Sequence, residues 1–247
     1  MSSPSPGDAH VLTPDATRIV GVGASAGGLD ALEQFLAQVP AASGLAYVVV
    51  QHLDPTHKAM LTELLQRVTA MPVREAVAAM RVEPDTVYVI PPNTELTVVA
   101  GVLNLAAPSQ RRGLRLPVDV LLASLARDQG ERAIGVVLSG MGSDGTLGLQ
   151  AIKALGGLTL AQQPESAQFD SMPKSAIAAG CVDIVAPAAA LVPRILQVAG
   201  TRRSAAVAVT AEAGDELTTI LTLLRDRSRH DFSQYKQSTI GRRIERR

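Results

Sequence analysis

The chain has 247 residues and no net charge; 47% of its residues are hydrophobic, only 2% are aromatic, and none is tryptophan. That length holds one large α/β domain plus a smaller piece, and the core must be aliphatic. The single cysteine, Cys181, excludes an internal disulfide and fits a reducing, cytoplasmic setting. Residues 1–17 carry no apolar h-region and read as a disordered leader, not a signal peptide. No apolar run is long enough to span a bilayer, so membrane insertion is not expected.

In chain order, Ile19 to Val22 is a short apolar strand that runs into Gly23-Ala-Ser25-Ala-Gly27 and then a helix over Leu29 to Val39. Leu45 to Val50 is a continuous apolar run, as expected of a strand covered on both faces. It stops at Gln51-His52-Leu53-Asp54-Pro55, and a helix follows over 58–68. This alternation predicts βαβ units and a doubly wound, mostly parallel, three-layer α/β sheet. Val73 to Val77 and Thr86 to Ile90 are short β segments, and Leu96 to Leu105 reads as a small hairpin around Ala100-Gly101.

Pro108 to Arg115 is a polar, basic loop, read as a solvated connection or as a lip beside a substrate. Pro117 suits a first helical position, and the helix continues to Arg127. Ala133 to Leu138 is a buried strand that ends in Ser139-Gly-Met141-Gly142-Ser-Asp144-Gly145, followed by a helix to Leu155. Leu158 to Ala161 and Val182 to Val185 are strands; Pro173 to Ala179 and Leu191 to Val198 are helices. Cys181, between Gly180 and Val182, reads as a buried small residue and not as a nucleophile. Residues 201–214, rich in Ala, Thr and Ser, read as a linker. From Arg225 to Arg247 eight basic residues face three acidic ones, so this stretch carries +5 and the rest −5. That shift marks a boundary before a helical, basic segment.

Ligands of open parallel sheets bind outside the carboxyl ends of the strands. Ser25, His52 and Asp144 each follow a predicted strand, which places all three on one rim. Of the four histidines, only His52 sits at a buried strand end. A serine hydroxyl needs a base to become a nucleophile. His52 can serve near neutral pH, and Asp144 can orient the imidazole and stabilise its cation. The Gly-Ala-Ser25-Ala-Gly turn fits a nucleophile elbow. The amides of Ala26, Met141 and Gly142 are candidate oxyanion donors. The order Ser, His, Asp differs from that of the α/β-hydrolases.

The rival reading is dinucleotide binding. Gly140-Met-Gly142-Ser-Asp-Gly145 matches G-x-G-x-x-G, with Glu165 twenty residues further on, and Gly21-Val-Gly23-Ala-Ser-Ala26 is a second near match. Against it, the carboxylate of Asp144 would face a pyrophosphate. A third reading is a catalytically silent scaffold that presents the basic tail.

The words Val22-Gly-Ala-Ser25-Ala-Gly-Gly28, Val49-Val-Gln-His52-Leu, Tyr88-Val-Ile-Pro-Pro92, Leu116-Pro-Val-Asp119-Val-Leu, Val137-Leu-Ser-Gly-Met141-Gly-Ser-Asp144-Gly-Thr-Leu-Gly and Phe169-Asp-Ser-Met172-Pro-Lys-Ser-Ala resemble, in this order, the catalytic domain of the chemotaxis protein-glutamate methylesterases, the CheB family. The resemblance covers about residues 18–200. It implies a metal-free and cofactor-free serine hydrolase with Ser25 as nucleophile, His52 as base and Asp144 as orienting acid. The implied substrates are glutamyl methyl esters, and in some members glutamines, on receptor helices. Ser25-Ala26 departs from the family's Ser-Thr, so a hydroxyl role at that position is missing. Only a short leader stands where typical members carry a receiver domain.

Residues 215–247 are similar to the first helical region of the CheR-type receptor methyltransferases, so the chain is expected to be part of a longer fusion. The implied partners are methylated receptor helices and the remainder of that methyltransferase. Phe232 and Tyr235 sit in no nucleic-acid motif, and no nucleic-acid partner is expected.

Overall fold

The computed structural model describes residues 17–51, 60–108, 110 and 115–200. The chain divides into two compact units, Met1–Arg194 and Ile195–Arg247. The fold described here is that of the first; of the second, only 195–200 are described, in a helix that starts at 188. The leader, the expected linker and the basic tail lie outside the described residues, as do His52 and His57.

Seven parallel strands form the main sheet. Their spatial order is β10 (Ile184–Ala186), β9 (Leu158–Gln162), β8 (Ile134–Val137), β1 (Arg18–Ala24), β2 (Leu45–Gln51), β5 (Val87–Val89) and β3 (Val73–Glu75). The two central strands β1 and β2 bury every residue except Arg18 and Gln51 at their ends. This matches their unbroken apolar sequence, since a parallel strand is covered on both faces.

Helices α1 (Gly28–Leu36), α2 (Met60–Gln66), α3 (Pro117–Gln129), α4 (Thr146–Ala154) and α5 (Ser171–Ala178) accompany the sheet. Strand order turns back at β1, with β2 on one side and β8 on the other. The carboxyl ends of these three strands therefore open onto one rim, at a topological switch point.

The small β element is larger than the expected hairpin. Strands β6 (Glu95–Val99) and β7 (Val102–Ala106) pair antiparallel, and β4 (Met80–Arg81) adds a third strand. Their two-residue loop, Ala100-Gly101, has positive φ at both positions (52° and 69°). This is the handedness a tight hairpin needs, and an alanine there is strained.

Several ends also move. α1 stops at Leu36, with Ala37 to Val39 in turn bonds, and α5 starts at Ser171, so that Pro173 falls in the first turn, where a missing N–H is tolerated. β10 starts at Ile184, two residues later than expected, and the last helix begins three residues early, at 188.

α3 occupies the middle of the unit. It packs on β1, on α4 and on β6 of the small sheet, and it buries nine of its residues around its circumference. Ser124 Oγ accepts the amide of Val98 at 3.0 Å, which ties the small sheet to this helix. The approach to β1 depends on glycine. A Cβ at Gly23 would lie 2.1 Å from Val118 Cγ1, and one at Gly21 would lie 2.7 Å from Leu122 Cδ2.

A Gly23→Ala substitution therefore forces strand and helix apart and is expected to destabilise the protein by about 3 kcal/mol, the upper end for overpacking. Adding Val118→Ala should recover much of that loss. Urea denaturation of both variants checks this, and an unchanged midpoint for the single variant refutes it.

Candidate active site

Ser25 stands on the turn between β1 and α1. Its amide donates to Ser139 O at 3.0 Å, and its carbonyl accepts the amide of Gly28 at 2.9 Å. Gly27 holds the left-handed conformation at the N-cap of α1 (φ 65°), with Gln168 and Phe169 packed where a Cβ would go. Because the Ser25 carbonyl is held on Gly28, the N–H of Ala26 on the same peptide plane points away from that turn.

The loop after β8 approaches from the other side. A Cβ at Gly140 would lie 2.9 Å from Ser25 Cβ and 2.0 Å from Met172 Sδ. Only a glycine lets the 139–145 loop pass this close to the serine. Ser139 Oγ donates to Ala26 O at 2.9 Å and accepts the amide of Phe169 at 3.0 Å. Its own amide donates to Gln162 Oε1 at 2.9 Å, and Gln162 Nε2 donates to Ser166 O at 3.0 Å. Ser139 and Gln162, both buried, thus lock the serine turn to the 163–170 loop. Sequence reasoning assigned them no role. The only signal was the position of Ser139 in the glycine-rich word.

Asp144 is 3% exposed. Its two carboxylate oxygens accept the amides of Val118 (3.0 Å) and Asp119 (2.9 Å), the first amides of α3. An anion at the positive end of a helix is favourable, so Asp144 fixes where α3 starts. Asp119 belongs to the family-like stretch Leu116-Pro-Val-Asp119-Val-Leu. It is buried too, and it accepts the amide of Gly148 at 2.7 Å, joining α3 to α4. Burial raises the Asp119 pKa; the Gly148 amide opposes this, and the nearby Asp144 charge adds to it.

A cleft of about 480 Å³ opens beside these residues. Asp144, Met141, Gly142 and Gln51 line it together with the Pro91–Glu95 segment, Arg115 and Leu116. Met141 is 62% exposed at its mouth, and Gly142 has φ 84°. Neither Ser25 nor Ala26 lines this cleft. The structure thus brings Ser25 against Gly140, and Asp144 near the end of β2. His52, the residue expected to join these two halves, lies outside the described residues. Gln51, the residue before it, pairs with Ala24 in the β1–β2 ladder.

The glycines of the rival reading have packing roles. Gly21 and Gly23 face α3, Gly140 faces Met172, and Gly145 (φ 93°) faces Val137 and Val118. The Asp144 carboxylate, inside this loop, is turned onto the first amides of α3, and Glu165 is an exposed residue of a 3₁₀ turn. Cys181 is buried, and burial pushes its thiol pKa up, the opposite of what a thiolate nucleophile needs. No helix among the described residues is long and apolar enough to cross a membrane.

The chain is similar to known proteins over most of its length. A family model for the CheB methylesterase matches residues 20–195, and one for the all-alpha domain of CheR methyltransferase matches 215–247. An uncharacterized 104.1 kDa protein of Rhodobacter capsulatus is 39% identical, over 76% of this chain and 22% of its own length. A protein-glutamate methylesterase/protein-glutamine glutaminase of Paramagnetospirillum magneticum is 36% identical, over 76% of this chain and 53% of its own. The counterpart in Pseudomonas aeruginosa is 34% identical, over 82% and 59% respectively. The chain thus spans about a fifth to three-fifths of the length of these relatives. The crystal structure of the Thermotoga maritima CheB methylesterase catalytic domain superposes with a TM-score of 0.69 at 30% identity, covering 74% of this chain and 99% of that one.

Proposed function

The chain belongs to the CheB methylesterase family, and from that premise we propose that it hydrolyses γ-methyl esters of glutamate on chemotaxis receptor helices, and deamidates glutamine at such positions. Ser25 Oγ attacks the ester carbonyl while His52 takes its proton. The imidazolium then passes that proton to the departing methoxide, which leaves as methanol. Water, deprotonated by the same imidazole, cleaves the acyl-enzyme and frees the glutamate carboxylate. Asp144 orients the imidazole. The amides of Ala26, Met141 and Gly142 hold the oxyanion.

One observation carries this reading. Ala24 pairs with Gln51, and in the sequence Ser25 and His52 directly follow these two paired strand ends. Strands of a sheet run about 4.8 Å apart, which is the spacing a serine–imidazole hydrogen bond can bridge. Asp144 lines the cleft that Gln51 also lines.

We assign the methylesterase to 18–200, a linker to 201–214 and the start of a methyltransferase module to 215–247. The setting is cytoplasmic, with the receptor helices and the remainder of the methyltransferase as partners. The test is methanol release from two substrates, methylated receptor and free glutamate γ-methyl ester. The expected result is release from the receptor at a rate far above that from the free ester. A receptor that keeps its methyl groups under excess enzyme overturns the proposal.

A further inference from the structure

Resting on that function, we infer that Arg115 reads a carboxylate on the substrate peptide next to the ester, so that the enzyme prefers esters in acidic surroundings.

Arg115 lines the same cleft as Asp144, Met141 and Gly142, on the wall formed with Pro91 to Thr94. Its guanidinium is held from two sides. Nη1 donates to Asn93 Oδ1 at 2.7 Å, and Nε donates to the carbonyl of Gln110 at 2.8 Å. Asn93 adopts a left-handed backbone (φ 56°), which non-glycine residues rarely take. That conformation belongs to a segment braced by the Thr94 Oγ1 bond to Pro91 O at 2.6 Å.

Both partners of Arg115 are neutral. Among the described residues no carboxylate pairs with it, whereas Arg74, Lys153 and Lys174 each have one. Glu95 and Asp144, the cleft's own carboxylates, form no ion pair with it. A guanidinium carries five N–H donors, so three stay available on a group already fixed in orientation. Such a fork suits a carboxylate, and its fixed geometry reduces the ordering lost on binding.

The cleft also selects among anions. With Glu95 and Asp144 in its lining, a singly charged carboxylate fits better than a dianionic phosphate. Ser25 does not line the cleft. The carboxylate that meets Arg115 is therefore a neighbouring side chain of the peptide, not the one that the reaction releases. An aspartate or glutamate on the same face of the receptor helix, a whole number of turns from the ester, meets this condition.

The experiment uses two peptides that each carry one glutamate γ-methyl ester and differ only in whether the flanking residues are Glu or Gln. For the wild type, kcat/KM is expected to be about tenfold higher on the acidic peptide, as for a charge-assisted hydrogen bond, and the ratio should shrink with salt. Arg115→Gln should bring the ratio close to one. Arg115→Lys, which keeps the charge without the fork, should give an intermediate ratio. This ratio does not depend on how much of a variant is folded.

A wild-type ratio near one, or a ratio that survives in Arg115→Gln, overturns the inference. If neither peptide is hydrolysed, the esterase reading fails separately. The same peptides, labelled for fluorescence anisotropy, are then bound to the full chain carrying Ser25→Ala. A preference for the acidic peptide that disappears on adding Arg115→Gln sustains the role of Arg115. Equal binding of both peptides overturns it.

Discussion

Ser25→Ala is expected to lower methanol release by about 10⁵–10⁶-fold while leaving the fold in place. The size of the loss follows from removing the proposed nucleophile of a group that would act as a unit, where one missing member costs nearly as much as all. What survives is binding and oxyanion stabilisation, about 10³-fold over water. The fold should tolerate the change because the turn is held by main-chain bonds, Ser25 N to Ser139 O and Gly28 N to Ser25 O, which alanine keeps. Loss of the half-buried hydroxyl should cost about 1 kcal/mol or less. Circular dichroism melts and a methanol assay on the same preparations test both halves. A fluorophosphonate should label the wild type and not the variant. Retained turnover in Ser25→Ala would remove the serine from the chemistry.

The parts of this arrangement that were legible in sequence are those set by local rules. Unbroken apolar runs announced β1 and β2, and Pro117 marked the start of α3. Glycine-rich words marked both loops at the rim. β4 was not legible, because two residues, Met80 and Arg81, carry no periodicity and exist as a strand only through Leu103 and Val102 opposite them. The three-sided burial of α3 was hidden for a related reason. Its glycine contacts lie on a strand about a hundred residues earlier, and only packing shows that Gly21 and Gly23 face Leu122 and Val118. Ser139 and Gln162 likewise gain meaning from the 163–170 loop. As for the site, the rim position of Asp144 was readable. Its grip on amides 25 and 26 residues away was not.

That grip is one task of Asp144, the proposed orientation of the imidazole would be a second, and Asp144→Asn should separate them. Both carboxylate oxygens already accept amides of α3. A carboxylate offers about four lone-pair sites, so room remains for an imidazole N–H. An asparagine keeps one oxygen but turns an NH₂ toward a backbone N–H, leaving a buried donor unsatisfied. The expected loss of stability is about 1–3 kcal/mol. Catalysis should suffer far more, about 10⁴-fold in kcat, because the amide cannot hold the imidazole in the required tautomer or stabilise its cation. Asp144→Ala should be less stable still, since both amides of α3 lose their acceptor and the helix loses its favourable charge. The decisive measurement is turnover per folded molecule, with the folded fraction taken from circular dichroism in the assay buffer. If Asp144 served only to anchor α3, the Asn variant would turn over normally once corrected for that fraction. A 10⁴-fold deficit after correction places the carboxylate in the reaction as well as in the fold.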